Sequence, residues 1–245
     1  MNRANNAAAD DAVRIRYRIR FGKVDLLRWI SHRDIARLWE RVGRRAGLDF
    51  SMTEGFHPKP RISFPSALAL GVCGDNEVVE IELASPMDAD ELKQRLIDDR
   101  QPGLIIREVR RRDPGASKAK IDHVVYQCPV PPSWSDDDVD RAVAKVRDTD
   151  HIDVERKKKT GVKTQTFILS DHVREITAVK LTPSGDPAIH IVMNESDGAN
   201  LRIADLYPVM GIDEKDAPAI RRTDVVLADE IEQPRIQALP SELIR

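Results

Sequence analysis

The sequence predicts an α+β fold of two tandem βαββαβ units with antiparallel sheets, the ferredoxin-like arrangement. Three observations predict it. Residues 13–21, "VRIRYRIRF", alternate apolar and charged over the whole stretch, which is the period of a half-buried strand. Residues 31–48 repeat apolar positions at helical spacing. The order strand, helix, strand, strand, helix, strand runs over residues 13–112 and recurs less regularly over 121–228.

In chain order, residues 1–12 contain no apolar signal core and are expected to be disordered. The first strand then sends Val13, Ile15, Tyr17, Ile19 and Phe21 to one side and Arg14, Arg16, Arg18 and Arg20 to the other. Ser31 followed by Asp34 resembles a capping box that opens a helix. Ile35, Leu38, Trp39, Val42 and Ala46 share its apolar face, Arg33, Arg37, Arg41, Arg44 and Arg45 lie broadly opposite, and Gly47 closes it. Such a charge run is by itself the solvated face of a helix. "LDFSM", residues 48–52, is extended, and a long loop from Glu54 to Gly74 joins it to the third strand. There, in "NEVVEIELA", Val79, Ile81 and Leu83 point inward and Glu80 and Glu82 outward. Central strands of this topology are neighbours, so the two glutamates face the arginines. Two carboxylates do not neutralise four guanidinium groups, and the open face of the sheet is expected to keep a positive surplus. "DADELKQRLIDD" is the second helix and "GLIIREVRR" the fourth strand.

Residues 113–120 form a Pro/Gly/Ser-containing linker. Beyond it lie a strand at 121–130, a helix whose acidic first turn "DDD" suits the helix dipole, and two strands around the basic turn "KKKTGVK". A hairpin follows, then a short helix in "NLRIADLYPVMG" with Asn200 as its N-cap, a last strand in "RRTDVVLAD", and a tail over 229–245.

Composition bounds the function. The chain has 245 residues, of which 41% are hydrophobic, enough for a substantial core. It has no run of about 18 apolar residues, so no membrane span is expected and a cytoplasmic location is. Cys73 and Cys128 lie too far apart to suggest a zinc site, a redox pair or a disulfide framework, and no metal ligands are expected. The net charge of -2 is unevenly spread: residues 14–61 hold 13 Lys and Arg against 5 Asp and Glu. A basic segment on an otherwise acidic chain is an electrostatic address for an anionic partner.

The loop carries the candidate chemistry. Pro58, Pro60 and Pro65 stiffen it, and Gly55, Gly71 and Gly74 allow tight turns. His57, Lys59 and Arg61 stand at alternate positions beside Phe56, a stacking candidate, while Phe64, Leu68 and Leu70 would anchor the loop to the core. A metal-independent ribonuclease would use His57 or His32 as general acid or base, with a Lys holding phosphate. "KKKTGVK" lacks the spacing of a phosphate-binding loop, and the chain contains no dinucleotide fingerprint or nucleophile elbow.

Residues 27–83 resemble a bacterial domain of unknown function that usually follows a radical-SAM domain in the same polypeptide. "SHRD", "RRAGL", "GFHPKPRISF", "ALALGV" and "EVVEIEL" carry the likeness, which extends more weakly to "NLRIADLYPVM". The resemblance implies RNA biology, because relatives are commonly encoded near ribosomal-protein and ribonuclease genes. The chain lacks the Cys-x3-Cys-x2-Cys motif of a radical-SAM enzyme. The resemblance therefore implies a separate radical-SAM partner carrying SAM and an iron–sulfur cluster, and no cofactor in this chain. The fold is also similar to that of CRISPR RNA-processing endonucleases, but their C-terminal glycine-rich loop is not seen: "YPVMGIDEKDAP" holds one glycine.

The expected function is a non-catalytic radical-SAM-associated accessory module that recognises or presents RNA. Arg14, Arg16, Arg18 and Arg20 would contact phosphate, and Phe56, His57, Lys59 and Arg61 would position the RNA. The alternatives are the metal-independent endoribonuclease and a protein-interaction domain that does not bind RNA.

Overall fold

The computed structural model describes residues 14–158, 161–181, 184–195, 201–213 and 219–231. The start over 1–12, the Asn200 cap and most of the tail lie outside them. The chain is a mixed α/β protein with one mostly antiparallel eight-stranded sheet and a separate two-stranded ribbon.

The first half runs β1 (Ile15–Lys23), α1 (His32–Arg45), β2 (Ile62–Ser63), β3 (Cys73–Leu83), α2 (Ala89–Asp98) and β4 (Leu104–Arg111), with a 3-10 turn at Asp25–Trp29. Strand β1 lies between β3 and β4, antiparallel to both. The period-two pattern fixes its register: Ile15, Tyr17, Ile19 and Phe21 are buried with Val79, Ile81 and Leu83 against Ile35, Leu38, Trp39 and Val42 of α1 and Leu92 and Leu96 of α2. The Ser31 side chain caps α1 by accepting from the Asp34 N–H, and Gly47, at a φ of 68°, follows the C-cap Ala46. Asp88 caps α2 in the same way, accepting from the N–H groups of Asp90 and Glu91.

The second half runs β5 (Ile121–Pro129), α3 (Asp136–Arg147), β6 (His151–Lys158), β7 (Gly161–Ile168), α4 (Leu169–His172), β8 (Val173–Lys180), β9 (Pro187–Asn194), α5 (Tyr207–Met210), β10 (Arg221–Leu227) and α6 (Ala228–Ile231). Ser135 and Asp138 form a full capping box on α3, so the acidic "DDD" is a helix start. Val139, Ala142, Val143 and Val146 of α3 pack with β5, β9, β10 and α5 in a second apolar cluster. Among the described residues, strands β6 and β7 pair only with each other.

Three features depart from the sequence reading. First, the second strand is Ile62–Ser63, inside the stretch expected to be loop, whereas "LDFSM" lies beside the end of β3 through the isolated bridge Phe50–Leu83 and hydrogen bonds of Ser51 to Glu82 and Ala84 to Asp49, and meets the loop at Met52–Pro60. Two prolines in three residues close the chain into a tight hairpin and return Ile62 to the sheet beside Ile81. Second, the strands do not form two separate sheets. They run in the single order β4-β1-β3-β10-β5-β9-β8, with β2 beside β3. Strand β3 is 11 residues long. Its Glu80 and Ile81 pair with β2, while Cys73 and Gly74 pair in parallel with Arg221 and Arg222 of β10. A strand longer than its short partner leaves backbone groups to satisfy, and β10 satisfies them. Third, the tail expected from residue 229 starts as a helical turn, α6, over 228–231. Among the described residues no helix is long and apolar enough to cross a membrane.

Candidate nucleic-acid interface

The arginine face of β1 is charged but not open. Arg18 and Arg20 are buried, at 3% and 4% exposure. Register places Arg18 opposite Glu80 and Arg16 opposite Glu82, as the alternation requires. The Arg18 Nε donates to Glu80 at 3.0 Å, and Arg16 donates to Glu82 at 3.2 Å and to the Ala116 carbonyl at 2.9 Å. The remaining positive charge meets the chain end. Arg18 Nη1 donates to both Asp229 oxygens, at 2.8 and 3.0 Å, and Arg112 Nη2 donates to Asp229 at 2.5 Å. Arg20 donates to Glu230 and to the carbonyls of Val225, at 2.6 Å, and Asn76. The expected positive surplus is thus corrected: the missing carboxylates come from residues assigned to the tail. Arg18 and Arg20 do not present an open phosphate-binding surface in this state.

Burial works against the Asp229 carboxylate, but the hydrogen bond and charge of Arg18, followed by the charge of Arg112, outweigh it and hold its pKa below the usual carboxylate range. For Arg18, burial likewise opposes the charge and Asp229 and Glu80 more than restore it, so it stays a cation.

The stiff hairpin rises from the same face. The Thr53 N–H donates to the Lys59 carbonyl at 2.8 Å and the Lys59 N–H to Thr53 Oγ1 at 2.9 Å, which closes its neck. At its base Arg61 donates to the Met52 carbonyl and approaches Glu54 and Glu82, while Arg14 donates to Glu54 at 3.2 Å. Arg14, Glu54, Arg61, Glu82 and Arg16 therefore form one chain of alternating charge that joins the hairpin to the arginine strand. Arg61 is spent on positioning. Phe56 at the tip is 102% exposed, with His57 and Lys59 exposed beside it. Of the predicted site residues, the structure brings Arg14, Arg16 and Arg61 together, buries Arg18 and Arg20 further along the face, and sets Phe56, His57 and Lys59 at the tip.

Behind the hairpin, an aromatic row ties the loop to the core. Phe21 packs edge-on to Trp39 at 5.1 Å and to Phe64 at 6.4 Å, and His32 packs on Phe64 at 5.3 Å. Leu68 joins the second core, but Leu70 is 63% exposed and does not anchor the loop as expected. Of the two ribonuclease candidates, His32 meets the Phe64 ring and His57 is exposed beside Phe56. The described residues contain no cluster of His, Cys, Asp or Glu able to hold a metal. Cys73 and Cys128 are free and buried, and burial pushes the Cys128 thiol up to about 12.

Sequence reasoning missed a buried ionic cluster where the two halves meet. The Arg222 guanidinium, 2% exposed, makes a two-pronged pair with Glu77, donates from Nε at 2.8 Å, and reaches Ser66 Oγ at 3.2 Å. Lys23, also 2% exposed, donates to the Ile30 carbonyl at 3.0 Å. Burial lowers the Lys23 pKa, with Glu77 acting against that shift. Ser66 and Arg222 also line a cavity of about 470 Å³, walled by Leu68, Tyr126, Met193 and Ile203. The sequence signal was polarity at Lys23 and Glu77, which the periods of β1 and β3 assign to the interior; Arg222 carried none, because β10 shifts register between Arg222 and Asp224.

The chain is a mixed α/β protein with a continuous mostly antiparallel sheet, a neutralised ionic face and a projecting aromatic hairpin. The chain matches, over residues 16–203, the family described as "Uncharacterized protein conserved in bacteria (DUF2344)", and it belongs to that family. No curated protein matches it.

Proposed function

We propose that the chain is a non-catalytic recognition module that binds RNA through the hairpin tip. The observation that carries this reading is Phe56, wholly exposed between Gly55 and His57 on a neck braced by two hydrogen bonds. A large ring held in water has no role in packing, and aromatic rings with adjacent cations are the platform on which unpaired bases stack. The exposed Arg33, Arg37, Arg41 and Arg44 of α1 add diffuse positive charge that would steer an anionic strand. We read each half as a ferredoxin-like unit, because the strand orders β4-β1-β3-β2 and β10-β5-β9-β8 follow the same winding.

Replacing Phe56 with Ala removes one stacking platform and leaves the core untouched. Single-stranded RNA affinity should fall roughly 5- to 150-fold, the equivalent of about 1–3 kcal/mol per stacked base. Fluorescence anisotropy with a labelled oligonucleotide measures it, and an unchanged affinity in the folded variant would remove the reading. The cytoplasmic accessory role beside a separate radical-SAM protein rests on the sequence resemblance. Gentle purification of tagged protein from its own cells should recover a protein bearing Cys-x3-Cys-x2-Cys, identified by mass spectrometry. Recovery of RNA or ribosomal material alone would count against that partner.

A further inference from the structure

Helix α6 is a single turn with no buried residue of its own. Ala228 and Ile231 are exposed, and the turn begins with one backbone hydrogen bond, from the Ala228 N–H to the Lys120 carbonyl at 2.9 Å. What seats it on the sheet is therefore the pair of carboxylates that enter the arginine face. Asp229 spans Arg18 and Arg112, and Glu230 takes Arg20. Three guanidinium groups from β1 and the chain just after β4 thus converge on two anionic groups set side by side.

The rest of the face is arranged so that Arg18 and Arg20 would keep their places if the carboxylates left. Arg18 retains Glu80 at 3.0 Å, and Arg20 retains the Val225 and Asn76 carbonyls. Arg112 carries, in addition, a buried Nε–H with no hydrogen-bond partner among the described residues. A guanidinium fork held at one edge by the protein and meeting an anion at the other is the geometry of a phosphate site. The anions present now are the chain's own.

We propose that Arg18, Arg20 and Arg112 form a binding site for the phosphate backbone of single-stranded RNA, and that the Asp229 and Glu230 side chains of α6 are its resident competitors, displaced when RNA binds. This rests on the RNA reading above and extends it along the face. A strand stacked on Phe56 would pass the Arg14–Glu54–Arg61–Glu82–Arg16 row before reaching the site beneath α6. Seating by ion pairs, with no buried residue in the turn, makes α6 displaceable by a competing anion. Its removal takes two negative charges off the face.

The test is the Asp229→Asn, Glu230→Gln double variant, with a chain ending at Ala228 beside it. A labelled single-stranded RNA and pyrophosphate serve as separate probes. Both variants should bind the RNA at least about tenfold more tightly than the parent. Two added phosphate contacts should also steepen the dependence of log affinity on log salt by about 1.4, at ~0.7 per phosphate for single strands. Unchanged affinity and slope in variants shown to be folded by circular dichroism, with the parent still binding through Phe56, would overturn the role of α6 and leave the RNA reading standing. If the variants gain pyrophosphate binding but neither they nor the parent bind RNA, the RNA reading falls and this proposal with it. The single Glu230→Gln variant, which leaves Asp229 on Arg18 and Arg112, replaces the double variant if the latter does not fold, and a gain of about threefold or more is then expected.

Discussion

Glu77→Ala should destabilise the protein by about 3–5 kcal/mol, the cost of removing one partner from a buried ion pair. Typical domains are stable by only about 5–15 kcal/mol, so the variant would be marginal. Glu77 is 4% exposed and stands between two buried cations, bound to Arg222 by both carboxylate oxygens. Without it, Arg222 keeps only uncharged partners such as Ser66 Oγ, and Lys23 keeps the Ile30 carbonyl. Two cations, each 2% exposed, are left without a carboxylate. Backbone geometry reserves the place for this carboxylate: a Cβ on Gly74 would lie 2.5 Å from the Glu77 Cγ. The charge count also sets an order. Arg222→Met leaves Glu77 facing the remaining cation Lys23, a one-to-one balance, so it should cost less than Glu77→Ala. Urea denaturation of the two variants measures both midpoints. A smaller loss for Glu77→Ala than for Arg222→Met would show that the hydrogen bonds and packing of the arginine, not charge balance, govern the cluster.

That cluster marks where the sequence stopped being informative. Alternation gave β1 and β3 their faces because a single strand contains its whole pattern, the cap of α1 was legible because Ser31 and Asp34 are three residues apart, and the start of α3 was legible in its acidic first turn. The pairing of Arg18 with Glu80 followed from topology once both strands were placed. By contrast, Arg222 meets Glu77 across 145 positions and Arg18 meets Asp229 across 211. Nothing local in "RRTDVVLAD" distinguishes an arginine that will be fully buried from its half-exposed neighbour Arg221, which pairs with Asp75. The continuous sheet was hidden for the same reason, since it depends on two register pairs between β3 and β10. The loop was legible in its chemistry but not in its path: its prolines announced stiffness, while the return of Ile62 to the sheet required knowing that β3 had a free edge. The expected positive surplus failed because the charge seen within one segment is balanced by carboxylates at the far end of the chain.

Trp39→Ala should cost about 3–5 kcal/mol, the range for truncating a large buried aromatic residue. Trp39 is 1% exposed, lies at the centre of the first core, and meets Phe21 edge-on at 5.1 Å. Its loss leaves a void under α1 and breaks the row Trp39–Phe21–Phe64–His32 that fastens the end of the hairpin loop. Trp39→Phe should behave differently. The indole Nε1–H is buried and has no hydrogen-bond partner among the described residues. Phenylalanine removes that donor, whose unsatisfied burial costs about 1–3 kcal/mol, while keeping a ring against Phe21. The two effects nearly offset, so Trp39→Phe should lose under about 1.5 kcal/mol. Denaturation midpoints separate the two variants, and RNA binding adds a second readout. Because Phe56 is held by the neck hydrogen bonds and not by Trp39, folded Trp39→Phe protein should bind RNA as the parent does. Equal destabilisation by Phe and Ala would mean that the indole makes a polar contact worth more than its ring area. Weakened RNA binding in the folded Phe variant would mean that the aromatic row sets the aim of the hairpin as well as its attachment.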